Sequence, residues 1–196
     1  MGDQLCAPED LASILESDLD AYKATMLVEA GTAVVQATTG RPPQRILEVA
    51  DDEITLMGTT AAWLHLPQRP VSAVASVNVD DADDDLVEGT DFKRFGSRLW
   101  RACGWATCWT EPSTIAVVYT HGHPTGDQGL ELARSAVISL IRGVYDNPGG
   151  AQRVAIDDYS ASYAAMSAQM DASPFLAEAL RRQYGAGAGL VAVGGI

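Results

Sequence analysis

The sequence predicts an α+β protein, in which a small helical bundle of about four helices carries a β-rich antiparallel insertion between helix 2 and helix 3. Apolar residues recur at helical spacing before residue 43 and after residue 125, and they alternate with polar residues in between. With 196 residues, of which 47% are hydrophobic, the chain is long enough to bury a sizeable core.

Residues 1–43 are predicted to form the N-terminal helices of the bundle. The first helix follows Pro8 and carries Leu11, Ile14 and Leu15 at helical spacing. The second runs from about Leu19 to Thr39 and ends where Gly40 and two prolines interrupt the pattern. We expect its apolar stripe to be Leu19, Tyr22, Met26, Ala30, Ala33 and Ala37, with Tyr22 and Met26 in the core.

Residues 44–124 are predicted to form the β-rich insertion. Two segments alternate with period two, and their buried positions are expected to be Val71, Ala73, Ala75, Val77 and Val79 in one, and Ile115, Val117, Tyr119 and His121 in the other. An acidic turn, Asp80 to Asp85, lies between them. Four tryptophans, Trp63, Trp100, Trp105 and Trp109, are expected to anchor the core and interfaces.

Residues 125–184 are predicted to be the C-terminal helices of the bundle. A helix from about Gln128 to Tyr145 has a continuous apolar face, and Thr125 with Gln128 has the spacing of a capping box. Residues 154–164 are predicted to be an extended segment. The last helix starts at Ser173-Pro174, and residues 185–196 are expected to be a flexible or partner-docked tail.

Charge and composition exclude several classes of protein. The net charge of −13 disfavours a duplex-gripping nucleic-acid binder and a protein that docks on anionic membranes. The N-terminus has neither the basic start nor the apolar run of a signal peptide, and no stretch reaches the length of a membrane span. The three cysteines are an odd number, so a closed disulfide framework is not expected, and the predicted compartment is a reducing cytoplasm.

Candidate reaction centres are weak in this sequence. His121 and His123 offer two imidazoles, but a zinc site needs three or four ligands, and His65, Cys103 and Cys108 do not complete a usual spacing. The acidic turn lacks the glycine and the terminal glutamate of a calcium loop. No serine elbow surrounds Ser160 or Ser162. We therefore expect no catalytic residue, no metal and no cofactor, and the predicted protein is not an enzyme.

Several motifs, taken in order, are similar to those of head-to-tail adaptor (head–tail connector) proteins of long-tailed actinobacterial phages. They are Leu66-Pro67-Gln68-Arg69-Pro70-Val71 before a valine-rich strand, Val117-Val118-Tyr119-Thr120-His121-Gly122, the helix ending at Asn147-Pro148-Gly149, and Asp158-Tyr159-Ser160-Ala161-Ser162-Tyr163-Ala164. Pro8-Glu9-Asp10-Leu11 and the long second helix also fit. The resemblance covers roughly residues 8–184, whereas His123 and the Gly/Ala-rich tail depart from the pattern.

The resemblance implies a structural protein of the virion neck, assembled in the host cytoplasm as a ring of about twelve identical copies beneath the portal. Its implied partners are itself, the portal protein and a stopper or tail-side neck protein. DNA passes through the ring without sequence-specific binding, and no membrane is involved. The acidic surface would keep the phosphate backbone from adhering to the channel.

The residues expected to contact neighbouring copies or the portal lie near the C-terminus. They are Tyr159, Ser160, Ala161, Ser162, Tyr163, Phe175, Leu176, Leu180 and Tyr184. The first five belong to the predicted extended segment, which is suited to adding to a neighbour's sheet edge. Two alternatives remain open: another neck or tail component, such as a stopper or tail terminator, and, less favoured, a small metal-dependent hydrolase using His121, His123 and the acidic turn. A third, a cellular binding module with a β-sandwich, is disfavoured by the three or more strong helices that the sequence predicts.

Overall fold

The computed structural model describes residues 4–15, 20–80, 82–106, 111, 113–146 and 159–185. Over these residues the chain is mixed helix and strand, with two small antiparallel sheets. It divides into two compact units. The helical unit comprises the described residues of Met1–Leu47 and Thr125–Ile196, and the β unit comprises those of Glu48–Pro124.

Within the described residues, the helical unit contains five α-helices. In chain order they are α1 (Pro8–Leu15), α2 (Ala21–Thr38), α3 (Glu131–Asp146), α4 (Tyr159–Asp171) and α5 (Pro174–Tyr184). Central α2 packs against the other four. The absence of a side chain at Gly31 permits close packing there, since an added Cβ would lie 3.1 Å from Cγ1 of Val137 on α3. The core of this unit is therefore built around α2.

The buried surface of α2 differs from the predicted stripe. Met26 and Ala30 are buried as expected, but Tyr22 is 72% exposed, Ala33 is half-buried and Ala37 is exposed. Leu19 lies outside the described residues. The stripe prediction was wrong at these positions because α2 has neighbours on several sides, which bury a different and broader set of residues: Ala24, Leu27, Val28, Gly31, Thr32, Val34 and Val35.

The start of α3 uses a different cap from the predicted one. Asp127 caps a short 3-10 turn, Gln128–Leu130, and its side chain accepts a hydrogen bond of 2.9 Å from the backbone N–H of Gly129. This replaces the Thr125–Gln128 capping box, since an aspartate at this position satisfies a free N–H directly. The predicted apolar face of the helix is confirmed, with Leu130, Ala133, Val137, Leu140 and Ile141 buried and Val144 half-buried against them.

The extended conformation predicted for residues 154–164 is wrong from Tyr159 onward. Tyr159 begins α4, and residues 154–158 lie outside the described chain. The short alternation of tyrosine and serine belongs to a longer pattern in which Ser162, Met166 and Met170 are buried at intervals of four residues. That interval places side chains on one face of a helix, and the alanines of this segment favour helix.

The last helix begins and ends where the sequence predicts. Pro174 occupies its first turn after Ser173, and Arg181 and Arg182 lie in its last turn. Ser173 makes no side-chain capping hydrogen bond. Of the two predicted start signals, only Pro174, with its restricted φ, is confirmed. Gly185 follows the helix in an extended conformation. The remaining tail residues lie outside the described chain.

The described residues of the β unit form two three-stranded antiparallel sheets. The large sheet has the order β1-β6-β3 and the small sheet has the order β2-β5-β4. The strands are β1 (Val49–Met57), β2 (Trp63–His65), β3 (Val71–Val79), β4 (Lys93–Phe95), β5 (Arg98–Trp100) and β6 (Thr114–His121). One apolar cluster, which includes Leu64, Val77, Leu99, Trp105 and Val117, draws residues from both sheets.

The two predicted strands are present, but the sequence pattern gives the buried face correctly for only one of them. The alternation in β6 is confirmed, because Ile115, Val117, Tyr119 and His121 are all buried. In β3, Val77 and Val79 are buried, whereas Ala73 and Ala75 are exposed. Register shifts between Val71 and Ala73 and between Val74 and Ser76 change the phase, so Val74 packs against the core instead.

Candidate functional site: an aromatic and cationic sheet face

The register of the small sheet places aromatic and cationic side chains on one surface. Trp63 pairs with Trp100, and Trp100 with Lys93, while His65 pairs with Arg98, and Arg98 with Phe95. Because side chains alternate along a strand, all six project from the same side. We call this surface the aromatic–cationic face: Trp63, His65, Lys93, Phe95, Arg98 and Trp100. The opposite side carries Leu64 and Leu99, which are buried in the core.

The aromatic rings of this face are exposed and mutually ordered. Trp63 and Phe95 meet edge to face, with 5.6 Å between their ring centres, although 41% of Trp63 and 55% of Phe95 remain accessible to solvent. The guanidinium carbon of Arg98 lies 5.5 Å from the Trp63 ring centre, in cation–π geometry. These contacts order exposed tryptophan and arginine side chains, and both residue types are enriched among those that dominate binding at protein interfaces.

The charge of the face is opposite to that of the chain. Residues 93–101 contain four cations and no acidic residue, in a protein of net charge −13. Arg94 is directed away from this surface, since its Nη1 donates hydrogen bonds of 3.2 Å to the carbonyl oxygens of Val71 and Ser72. Its Nε also lies 3.5 Å from a carboxylate oxygen of Glu88. Lys93 and Arg98 remain on the face, and neither makes an ion pair with a described residue.

The acidic turn is an exposed, partly ordered loop. The Asn78 side-chain amide donates to the carbonyl oxygen of Ala82 at 2.8 Å and to Oδ1 of Asp85 at 3.0 Å. Asp83 and Asp84 are exposed and make no hydrogen bond or ion pair with any described residue. Asp81 lies outside the described chain. The loop therefore presents two carboxylates whose charge no described group of the same chain neutralises.

The predicted contact residues divide into exposed and buried groups. Tyr159, Ser160 and Phe175 are exposed, and Phe175 is the extreme case at 92%. Ala161, Tyr163 and Leu176 are half-buried. Ser162, Leu180 and Tyr184 are buried in the helical unit, at 0%, 0% and 5% exposure, so they are not surface contact residues. The correction follows from the helical form of both segments, which turns every third or fourth residue inward.

The phenol of Tyr184 ties α5 to the start of α3. Its hydroxyl donates to the carbonyl oxygen of Gly129 and accepts a hydrogen bond of 3.3 Å from the backbone N–H of Ala133. Burial raises the pKa of Tyr184 above its usual value, and the nearby carboxylates of Asp127 and Glu131 raise it further. The neutral phenol is therefore the form that the folded chain stabilises.

We expect the Tyr184→Phe variant to lose part of the alkaline sensitivity of the wild-type protein. Because the pKa is raised in the folded state, the stability that the neutral phenol contributes is complete below about pH 10, the ordinary tyrosine value. It is lost as the pH rises from there through the raised pKa of the folded state. Urea unfolding at a series of pH values would measure this difference. Below that pH the variant should be less stable by about 0.5–1.5 kcal/mol, the net value of a typical hydrogen bond. An identical pH dependence in the two proteins would contradict the assignment.

The two histidines of the predicted pair lie in different environments. His121 is fully buried and its Nε2 lies 3.0 Å from Oδ2 of Asp52 on β1, with the Tyr119 ring centre 5.0 Å away. His123 is half-buried after the strand ends. Among the described residues, no group of three or more His, Cys, Asp or Glu side chains could hold a metal ion. Cys108 lies outside them, and Cys103 is exposed. The polar contact of His121 joins β1 to β6.

Sequence reasoning identified the tryptophans as anchors but missed the other members of the face. Lys93, Phe95 and Arg98 lie in two strands of three residues each, too short for a period-two pattern to stand out. The feature that could have found them is the Gly96-Ser97 turn, in which Gly96 has a φ of +61°. A glycine of this conformation between two short runs is typical of a hairpin.

The chain is thus a two-unit, mixed helix-and-strand protein with an exposed aromatic–cationic face on its β unit. No protein-family model matches it, and a search of curated proteins returned no match. Within the described residues, no helix combines the length and the apolar character needed to cross a membrane.

Proposed function

We propose that the chain is a structural subunit of the phage neck, which forms the adaptor ring between the portal and the next neck or tail component. The observation that carries this proposal is the order of its two units along the chain. The helices come from both ends, and the β unit lies between the second and the third helix. This order supports the bundle with a β-rich insertion that the resemblance to head-to-tail adaptors implies.

The exposed apolar side chains support an assembly role. Phe175 on α5 is 92% exposed, and Tyr159 and Tyr163 on α4 stack with 6.3 Å between ring centres, although Tyr159 is 43% exposed. Large aromatic groups left in water favour burial against another protein, because aromatic residues are enriched in the cores of protein interfaces. In the proposed ring, the exposed surface of α4 and α5 contacts the portal or a neighbouring copy.

The acidic character of the chain supports the proposed DNA channel. A ring of identical copies multiplies the charge of −13 that each chain carries. A surface of this sign repels the phosphate backbone at distances up to the screening length, about 8 Å at physiological salt. The proposed ring thus lets DNA pass without retaining it.

Electron microscopy of the purified full-length chain, mixed with its portal complex, tests the proposed function. We expect a closed ring of chains bound coaxially beneath the portal, and mass photometry should show a stepwise gain of identical subunits on the complex. The adaptor role would be contradicted if the chain stayed unbound at concentrations well above those at which other neck proteins bind the portal. Binding at the distal side of an already assembled adaptor would assign the chain to a stopper or tail-side component instead.

A further inference from the structure

We propose that the aromatic–cationic face binds the acidic loop of a second copy of this chain. The loop is defined as residues 82–88, with Asp83 and Asp84 as its two unpaired carboxylates. This inference rests on the proposed function, because it supplies the contact between neighbouring copies in the ring.

Charge complementarity identifies the occupant of the face. Lys93 and Arg98 project from it, and no described acidic residue of the same chain pairs with either. Asp83 and Asp84 are exposed, and no described cation pairs with them. The two carboxylates therefore equal the two cations in number and are opposite to them in charge. Because the loop does not neutralise the face within one chain, the complementary contact lies between chains.

Apolar surface on both sides favours a protein partner over a nucleic acid. The loop carries Val87, which is 58% exposed, and the face offers the exposed rings of Trp63 and Phe95. An aliphatic side chain packs well on such rings, whereas a nucleic-acid strand is held through many phosphate contacts. Two available cations in a chain of net charge −13 make a poor phosphate groove.

The contact is also of the type that a ring requires. The face and the loop consist of different residues of one chain, so their contact is heterologous: each copy uses its face for one neighbour and its loop for the other. Such a contact repeats from copy to copy and closes into a ring when the rotation permits. Both the face and the loop belong to the β unit, so the contact does not use Phe175 of α5.

A charge-swap experiment with the full-length chain and its portal complex tests the proposal. The face variant combines Lys93→Glu with Arg98→Glu, and the loop variant combines Asp83→Lys with Asp84→Lys. Each alone brings like charges together, and we expect ring formation to require about tenfold more protein. An equimolar mixture should restore the rings, because each variant then meets a neighbour of opposite charge. Restoration also shows that both variants fold.

The control is Arg41→Glu, which reverses one positive charge at an exposed loop residue of the helical unit. It is compared with the single variant Arg98→Glu, which reverses one positive charge on the face. The control should assemble as the wild type does.

If both double variants form rings normally, the inference is wrong and the adaptor role stands. Failure of the mixture to restore rings would show that this loop is not the occupant of the face. Binding of single-stranded DNA that the face variant loses, with ring formation unchanged, would assign the face to nucleic acid. If the wild-type chain does not assemble on the portal, the proposed function fails, and this inference with it.

Discussion

Replacing Trp105 with alanine is expected to lower the free energy of unfolding of the β unit by about 3–5 kcal/mol, the range for truncating a large buried aromatic residue. Trp105 is fully buried, and its ring centre lies 6.3 Å from that of Phe92. Its indole N–H donates a hydrogen bond of 3.1 Å to the carbonyl oxygen of Ala62. The substitution therefore leaves a cavity and removes one of the two hydrogen bonds that the carbonyl oxygen of Ala62 accepts, the other coming from the backbone N–H of Arg101.

Urea unfolding followed by tryptophan fluorescence measures this loss, because all four tryptophans lie between residues 63 and 109. The matched control is Trp63→Ala. Trp63 is partly exposed on the aromatic–cationic face, so its removal should cost less than about 1 kcal/mol. Equal losses in the two variants would show that Trp105 does not anchor the core of the β unit.

Replacing Leu180 with alanine is expected to destabilise the helical unit by about 2–5 kcal/mol. Leu180 has no exposed surface and lies in the cluster that joins α5 to α2 and α3. The Phe175→Ala variant, five residues earlier on the same helix, should change stability by less than about 0.5 kcal/mol, because Phe175 is 92% exposed. Urea unfolding followed by helical circular dichroism measures both values.

The effects of the two variants on portal binding should be in the opposite order to their effects on stability. We expect Phe175→Ala to weaken binding to the portal complex by about tenfold, as removal of an aromatic interface anchor does. Leu180→Ala, assayed at a temperature where it remains folded, should bind normally. Point variants are better suited to this test than deletion of α5, which would remove the buried Leu180 and Tyr184. Normal portal binding by Phe175→Ala would remove α5 from the proposed contact.

The candidate site was predictable from the sequence in part. Tryptophan is the residue type most expected at protein interfaces, and the predicted anchors include Trp63 and Trp100 of the face. Their cationic neighbours were missed because the pairing of three short strands brings residues 63–65 and 93–100 together. Near the C-terminus, Phe175 proved exposed, but Leu180 and Tyr184 proved to be core residues. Apolar character alone does not distinguish the exposed position, Phe175, from the buried ones, Leu180 and Tyr184.

The sequence by itself determined the elements whose local pattern is long and unambiguous. The end of α2 before Gly40, the apolar face of α3, the alternation in β6 and the start of α5 at Pro174 all follow from periodicity and from backbone-restricting residues. These features depend on interactions within a few residues along the chain. A local pattern is sufficient to specify them.

Tertiary structure alone decided the features that depend on distant neighbours. Packing of α2 among four helices set which of its sides is buried, and two register shifts against β6 set which residues of β3 face the core. Burial of Ser162, Met166 and Met170 accompanies the helical form of α4, where a five-residue alternation had indicated a strand. In each case the free energy of burying apolar surface against a partner outweighed a weak local preference, since propensities amount to less than about 1 kcal/mol per residue.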